Sequence, residues 1–203
     1  MSKRNDNFES IEFLLLDEIA ESYLKEALCI LNEKLDNSAK DALKENKVFL
    51  NVCLSPANTI HNFRVPDLKA NSKIHLVTID FTVIKYCKFD TNEIAATILH
   101  EFGHIFNHYN KQSKSKIYEQ LKKGLVPDFK QIEHEKNEIN KKKEFYADYY
   151  PKKFGLGKSM KSSLKKYLES NLPFALEKER EINERIEKLN TNEIFNGTTK
   201  QLR

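Results

Sequence analysis

The segment His100-Glu101-Phe102-Gly103-His104 sets two imidazoles four residues apart, with a carboxylate directly after the first. On a helix, residues i and i+4 differ by about 40° in azimuth and roughly 6 Å in height, so both rings can reach one cation. Imidazole nitrogens hold zinc at about 2.0–2.1 Å, and the His-Glu-x-x-His pattern on a helix makes zinc the expected cofactor. Glu101, one step around the helix, would lie beside the ion without binding it. There it could take a proton from metal-activated water and pass it to a leaving amine. The chemistry this spacing suits is peptide hydrolysis, with a peptide or protein as substrate.

The rest of that helix can be tested by azimuth. With His100 at zero, Ile94, Ile98, Phe102, Ile105 and Tyr109 fall at about 120–200°, and His104 at about 40°, away from the apolar arc. Ala96 and Gly103 fall just beside the histidine face. Glycine inside a helix costs about 1 kcal/mol relative to alanine, so Gly103 needs a steric reason, and close approach of another backbone supplies one. Two histidines still need a third ligand. Downstream, Glu144-Phe145-Tyr146-Ala147-Asp148 offers it in Glu144, with the small Ala147 on the same helical face. Packing of that face against Gly103 would carry the carboxylate to the ion. Asp148, at i+4 from Glu144, could accept the outer N–H of a ligand histidine and so fix its ring.

These residues require positioning elements. Asp90 with Glu93 is a capping-box pattern, and it starts a helix predicted over 91–109. A second helix is predicted from Asp128 to about Tyr150, ended by Pro151 and by Gly155 and Gly157. Phe13, Leu16, Ile19, Ala20, Tyr23, Leu24, Ala27, Leu28 and Leu31 recur at helical steps, so 10–45 reads as one or two amphipathic helices. Val48 to Leu54 and Ile74 to Ile79 read as strands. The second is followed by a short apolar turn or helix through Tyr86, and 55–72 reads as loop. Charged helices are expected at 158–170 and 173–190, then a polar tail.

At this point the chain resembles the gluzincin metallopeptidases, in particular the family of HtpX-like proteases and CaaX prenyl endopeptidases. The resemblance runs from about Lys73 to Leu168 and rests on NEIAATILHEFGHI and EFYAD. It implies a zincin-like α+β fold with a small sheet, an active-site helix across it and a glutamate helix beneath. It also implies that residues 74–78 form an edge strand that pairs with extended substrate. That family commonly places a histidine or arginine after the third ligand to stabilise the oxyanion. No histidine follows Glu144 here, which leaves Tyr149, Tyr150 or Arg180 for the role. A second resemblance is to the ImmA/IrrE-type peptidases that cleave repressors, because His108 continues the motif. A non-catalytic, zinc-stabilised interaction protein is the reading from another class.

Composition limits the remaining possibilities. The 203 residues, 39% of them hydrophobic and 32% charged, suit one compact domain with helical additions. The expected division is an N-terminal helical segment (1–45), a metallopeptidase domain (46–170) and a C-terminal helix with a polar tail (171–203). Five Gly and five Pro argue against a β-sandwich. The net charge of +4 comes from interspersed Lys and Glu, so no nucleic-acid partner is expected. No segment approaches the ~20 apolar residues of a membrane span. Cys29, Cys53 and Cys87 form no CxxC pair and fit reduced, buried thiols in a cytoplasmic protein. His108 lies roughly 12 Å along the helix from His100, too far to share its ion. His75, in a strand, reads as a structural residue, His61 has no partner in sequence, and His134, ten residues before Glu144, would project elsewhere on its helix.

Overall fold

The computed structural model describes residues 11–14, 18–45, 47–53, 60–63, 74–106, 120, 122–126 and 128–191. Among these residues, four strands form one sheet: β1 (Ile11–Leu14), β2 (Lys47–Cys53), β3 (Ile60–Phe63) and β4 (Ile74–Asp80), in the order β1-β2-β4-β3. β1 and β4 run parallel to β2, with Val48 opposite both Ile11 and His75. β3 is antiparallel to β4, from Ile60 opposite Val77 to Phe63 opposite Ile74. The helices are α1 (Glu18–Lys34), α2 (Asn37–Glu45), α3 (Phe81–Tyr86), α4 (Thr91–Phe106), α5 (Phe129–Lys153), α6 (Gly157–Glu169), α7 (Pro173–Glu177) and α8 (Glu179–Asn190). The described residues are thus mostly helical, with one small sheet.

Three readings of the sequence need correction. Residues 74–78 are not at an edge, because β2 and β3 bond to the two sides of β4. Among the described residues, the edges of the sheet are β1 and β3. β3 is the short run Ile60-His61-Asn62-Phe63, set among Asn and Pro residues that read as loop. Its strand character comes from pairing with β4, a long-range contact that local propensity does not report. The N-terminal stretch is likewise not all helical: Ile11-Glu12-Phe13-Leu14 is a strand, held by parallel pairing to β2.

The amphipathic periods elsewhere are realised as packing. Leu24, Ala27, Leu28 and Leu31 of α1 are buried and face α4, at the three- and four-residue steps that a helix presents on one side. Asp36 begins α2 by accepting the Ala39 N–H at 2.8 Å. Val48, Leu50, Val77 and Ile79 form the sheet's share of the core. Ile94, Ala95, Ile98, Leu99 and Phe102 of α4 join them, along with Ile182 and Ile186 of α8. One core thus runs through all three segments distinguished in the sequence.

The ends of α4 and α5 are set by local chemistry. Asp90 accepts the Glu93 N–H at 2.9 Å, and Glu93 accepts the Asp90 N–H at 2.7 Å, a reciprocal capping box. The Glu93 carboxylate, 2% exposed, also takes the Lys166 ammonium of α6 at 2.7 Å, so it is buried with a partner. At the other end, α5 runs past Pro151 to Lys153. Gly155, at φ 77°, then turns the chain, with Gly155 N–H on the Lys152 carbonyl and Leu156 N–H on the Pro151 carbonyl. That pair of bonds is a Schellman cap, and the αL conformation explains the glycine. The predicted end of α4 at Tyr109, and His108 with it, lie outside the described residues. So does the side chain of Cys53. Cys87 is buried, whereas Cys29 is exposed, contrary to the expectation that all three thiols are buried.

Candidate metal centre

Gly103 decides how closely α5 approaches α4. A Cβ at that position would stand 2.8 Å from both the Cα and the carbonyl oxygen of Ala147, and 2.9 Å from the Tyr150 ring. Only glycine fits, and Ala147 is the small residue opposite it. Pro151 contributes as well. It has no N–H to give the Ala147 carbonyl, four residues back, so that oxygen lacks its helical partner where the two helices meet.

This close approach brings the predicted ligands together. One donor atom from each of His100, His104 and Glu144 lies within 4.8 Å of the others, so the three could hold a metal ion. His100 Nε2 is 3.3 Å from Glu144 Oε2, and His104 Nε2 is 3.5 Å from Glu144 Oε1. Donors at about 2.0–2.1 Å from a tetrahedral ion stand roughly 3.3–3.4 Å apart, and each imidazole has one Glu144 oxygen at close to that separation. The two imidazoles are nearly perpendicular, with ring centroids 4.9 Å apart. Two neutral nitrogens and one carboxylate oxygen form a donor set suited to zinc and other first-row divalent ions.

Asp148 occupies the place expected of it. Its Oδ1 is 2.8 Å from His100 Nδ1. With Nδ1–H donating to the carboxylate, the lone pair of His100 is on Nε2, the atom nearest Glu144. Exposure shows which way the site opens. His100 and Asp148 side chains are 5% and 6% exposed, while His104 and Glu144 retain 20% and 28%. The open side is therefore along His104 and Glu144, where a water and a substrate could enter. His100 lies away from the apolar arc of α4, yet α5 covers it.

The sequence reading missed Arg185. Its Nε and Nη2 fork onto Asp148, at 2.7 and 2.8 Å, and its Nη1 lies 3.1 Å from Glu144 Oε2. Arg180, the arginine considered earlier, is 94% exposed and contacts Glu184. A signal for Arg185 was present in α8, since Ile182, Arg185 and Ile186 share one helical face. An arginine on an apolar face calls for a buried carboxylate partner. α8 lies alongside α5 in the same direction, with Glu184 on Lys141, Lys188 over the Phe145 ring at 3.8 Å, and the Thr191 carbonyl on Lys152.

Proton affinities follow from this cluster in the absence of an ion. Burial and the Arg185 guanidinium act to deprotonate His100, but Asp148 and Glu144 outweigh them and raise its pKa to about 9. Burial and the neighbouring His100 lower His104 to about 4. Burial would raise Asp148, but Arg185 and His100 hold it at about 2. Glu144 is depressed well below the usual carboxylate range, as the His100 hydrogen bond and Arg185 overcome its burial. Glu101 moves the other way: burial raises it above an ordinary glutamate, more than His100 lowers it.

Compared with protein-family models, curated proteins and solved structures, the chain matches none. Among the described residues, no helix is long and apolar enough to cross a membrane.

Proposed function

We propose that this protein is a zinc-dependent endopeptidase of the gluzincin type, a soluble relative of the HtpX-like and CaaX prenyl endopeptidases. The observation that carries the reading is the His100–His104–Glu144 cluster with Glu101 beside it and Asp148 behind His100. A histidine pair and a carboxylate leave a fourth coordination position free, as hydrolytic zinc sites require. Zinc held there would supply a Lewis acid and lower the pKa of its water to about 7.

The chain's own residues would do the rest. Asp148 fixes the His100 tautomer, which directs the Nε2 lone pair into the site. Glu101 takes the water's proton and returns it to the leaving amine, and the burial that raises its proton affinity suits it to both steps. The exposed flank along His104 and Glu144 admits the peptide. Among the described residues the sheet edge next to β4 is β3, so backbone pairing with substrate on that side would fall to residues 60–63.

The test is hydrolysis of a broad peptide library by the zinc-loaded wild type and by Glu101→Gln. The expected result is cleavage by the wild type and a loss of about 10²–10⁴-fold in the variant, with zinc still bound. Equal activity in the variant would reject Glu101 as the base. A zinc-loaded wild type inert on every peptide would favour a metal-stabilised interaction protein.

A further inference from the structure

Arg185 reaches the centre from the C-terminal helix, and its geometry differs from that of a group waiting for substrate. Its Nε and Nη2 are both hydrogen-bonded to Asp148, and Nη1 faces Glu144. Nη2 is also 3.3 and 3.4 Å from the two nitrogens of His100. A point nearly equidistant from both nitrogens, in the ring plane, would collide with the carbon between them. The guanidinium therefore lies over the imidazole face, off the in-plane direction along which Nε2 would bind an ion. One planar cation thus contacts a ligand histidine, a ligand glutamate and the aspartate that orients the histidine. Arg185 is itself buried, at 8% exposure.

We propose that Arg185 is a positioning residue for the metal centre: it clamps Asp148 and Glu144 in the arrangement that binds the ion, so the site is complete only when α8 is docked on α5. The inference rests on the metal-site reading above. It also has a physical consequence that separates it from simple electrostatics. Glu144 and Asp148 are like charges one helical turn apart, and they repel each other unless a cation lies between them. A fixed fork on Asp148 holds that carboxylate in the plane His100 needs, which a point charge does not do. By charge alone, however, a guanidinium beside a divalent site repels the ion, so its removal should tighten binding. Positioning and repulsion therefore predict opposite signs.

The experiment is chelator competition for zinc with the full chain as wild type, Arg185→Met, Arg185→Lys, Asp148→Asn and the Arg185→Met/Asp148→Asn double variant. Loss of an orienting partner of this kind typically weakens metal binding about 10–100-fold. Arg185→Met and Asp148→Asn should each lose that much. The double variant should lose little more than the worse single one, because both break the same clamp. Arg185→Lys, which keeps the charge without the fork, should fall between wild type and Arg185→Met. The proposal is overturned if Arg185→Met binds zinc as tightly as wild type or more so, or if the two single losses multiply in the double variant. Should Arg185→Met fail to fold, Arg185→Lys decides: affinity equal to wild type overturns the clamp. A wild type that binds no zinc removes the metal site itself, a different failure from that of the clamp.

Discussion

Adding one methyl group at Gly103 tests how the centre is assembled. In Gly103→Ala, the new Cβ would be 2.8 Å from the Ala147 Cα and carbonyl oxygen, where carbon contacts ordinarily begin near ~3.4 Å. Backbone lies on both sides of that contact, so α4 and α5 must separate by about 0.6 Å or more. Overpacking of this kind costs about 1–3 kcal/mol, while alanine recovers about 1 kcal/mol of helix propensity, a net loss of roughly 0–2 kcal/mol. The metal centre is more sensitive. Glu144 rides on α5, and its oxygens now stand 3.3 and 3.5 Å from the two imidazole nitrogens. Moving them out by the same amount widens both separations to about 4 Å, beyond what bonds of ~2.0–2.1 Å span without rearrangement. The expected outcome is a small fall in melting temperature in chelator and at least a tenfold loss of zinc affinity. A variant that melts higher than wild type and binds zinc equally well would refute the close-approach argument, since propensity alone would then be at work.

Two further predictions concern protons and the foot of α4. In the metal-free protein His100 titrates near 9, above its unfolded value of 6.5, so its contribution to stability is complete below pH 6.5 and is lost as pH rises through 9. A metal needs His100 neutral, and His104, near 4, already is. Zinc uptake at pH 7 should therefore release one proton, and apparent affinity should rise about tenfold per pH unit up to ~9. Calorimetry in buffers of different ionisation enthalpy reads the proton directly, and a pH-independent affinity would contradict the assignment. Glu93→Ala removes half of the capping box and the buried partner of Lys166. It should cost about 1–2 kcal/mol in denaturant unfolding while zinc stoichiometry stays unchanged.

What the sequence disclosed follows from the range of the forces involved. The i, i+4 histidines, the Asp90–Glu93 cap and the Gly103–Ala147 approach are local patterns or single-residue steric necessities, and each is readable from spacing alone. Glu144 and Asp148 were readable because one helical face carries both. β1 and β3 were not, since four-residue strands acquire their identity from the neighbour they pair with, not from their own composition. Arg185 was hidden for a similar reason: its partners are on a helix far earlier in the chain, and only its place between Ile182 and Ile186 hinted that it is buried.

Metal analysis of the purified wild type beside Glu144→Ala addresses the central claim most directly. The account predicts one zinc per wild-type chain and a large loss in the variant, because His100 and His104 alone cannot close the site. A wild type without stoichiometric metal, or a variant that retains it in full, would contradict the assignment of these three side chains to one ion.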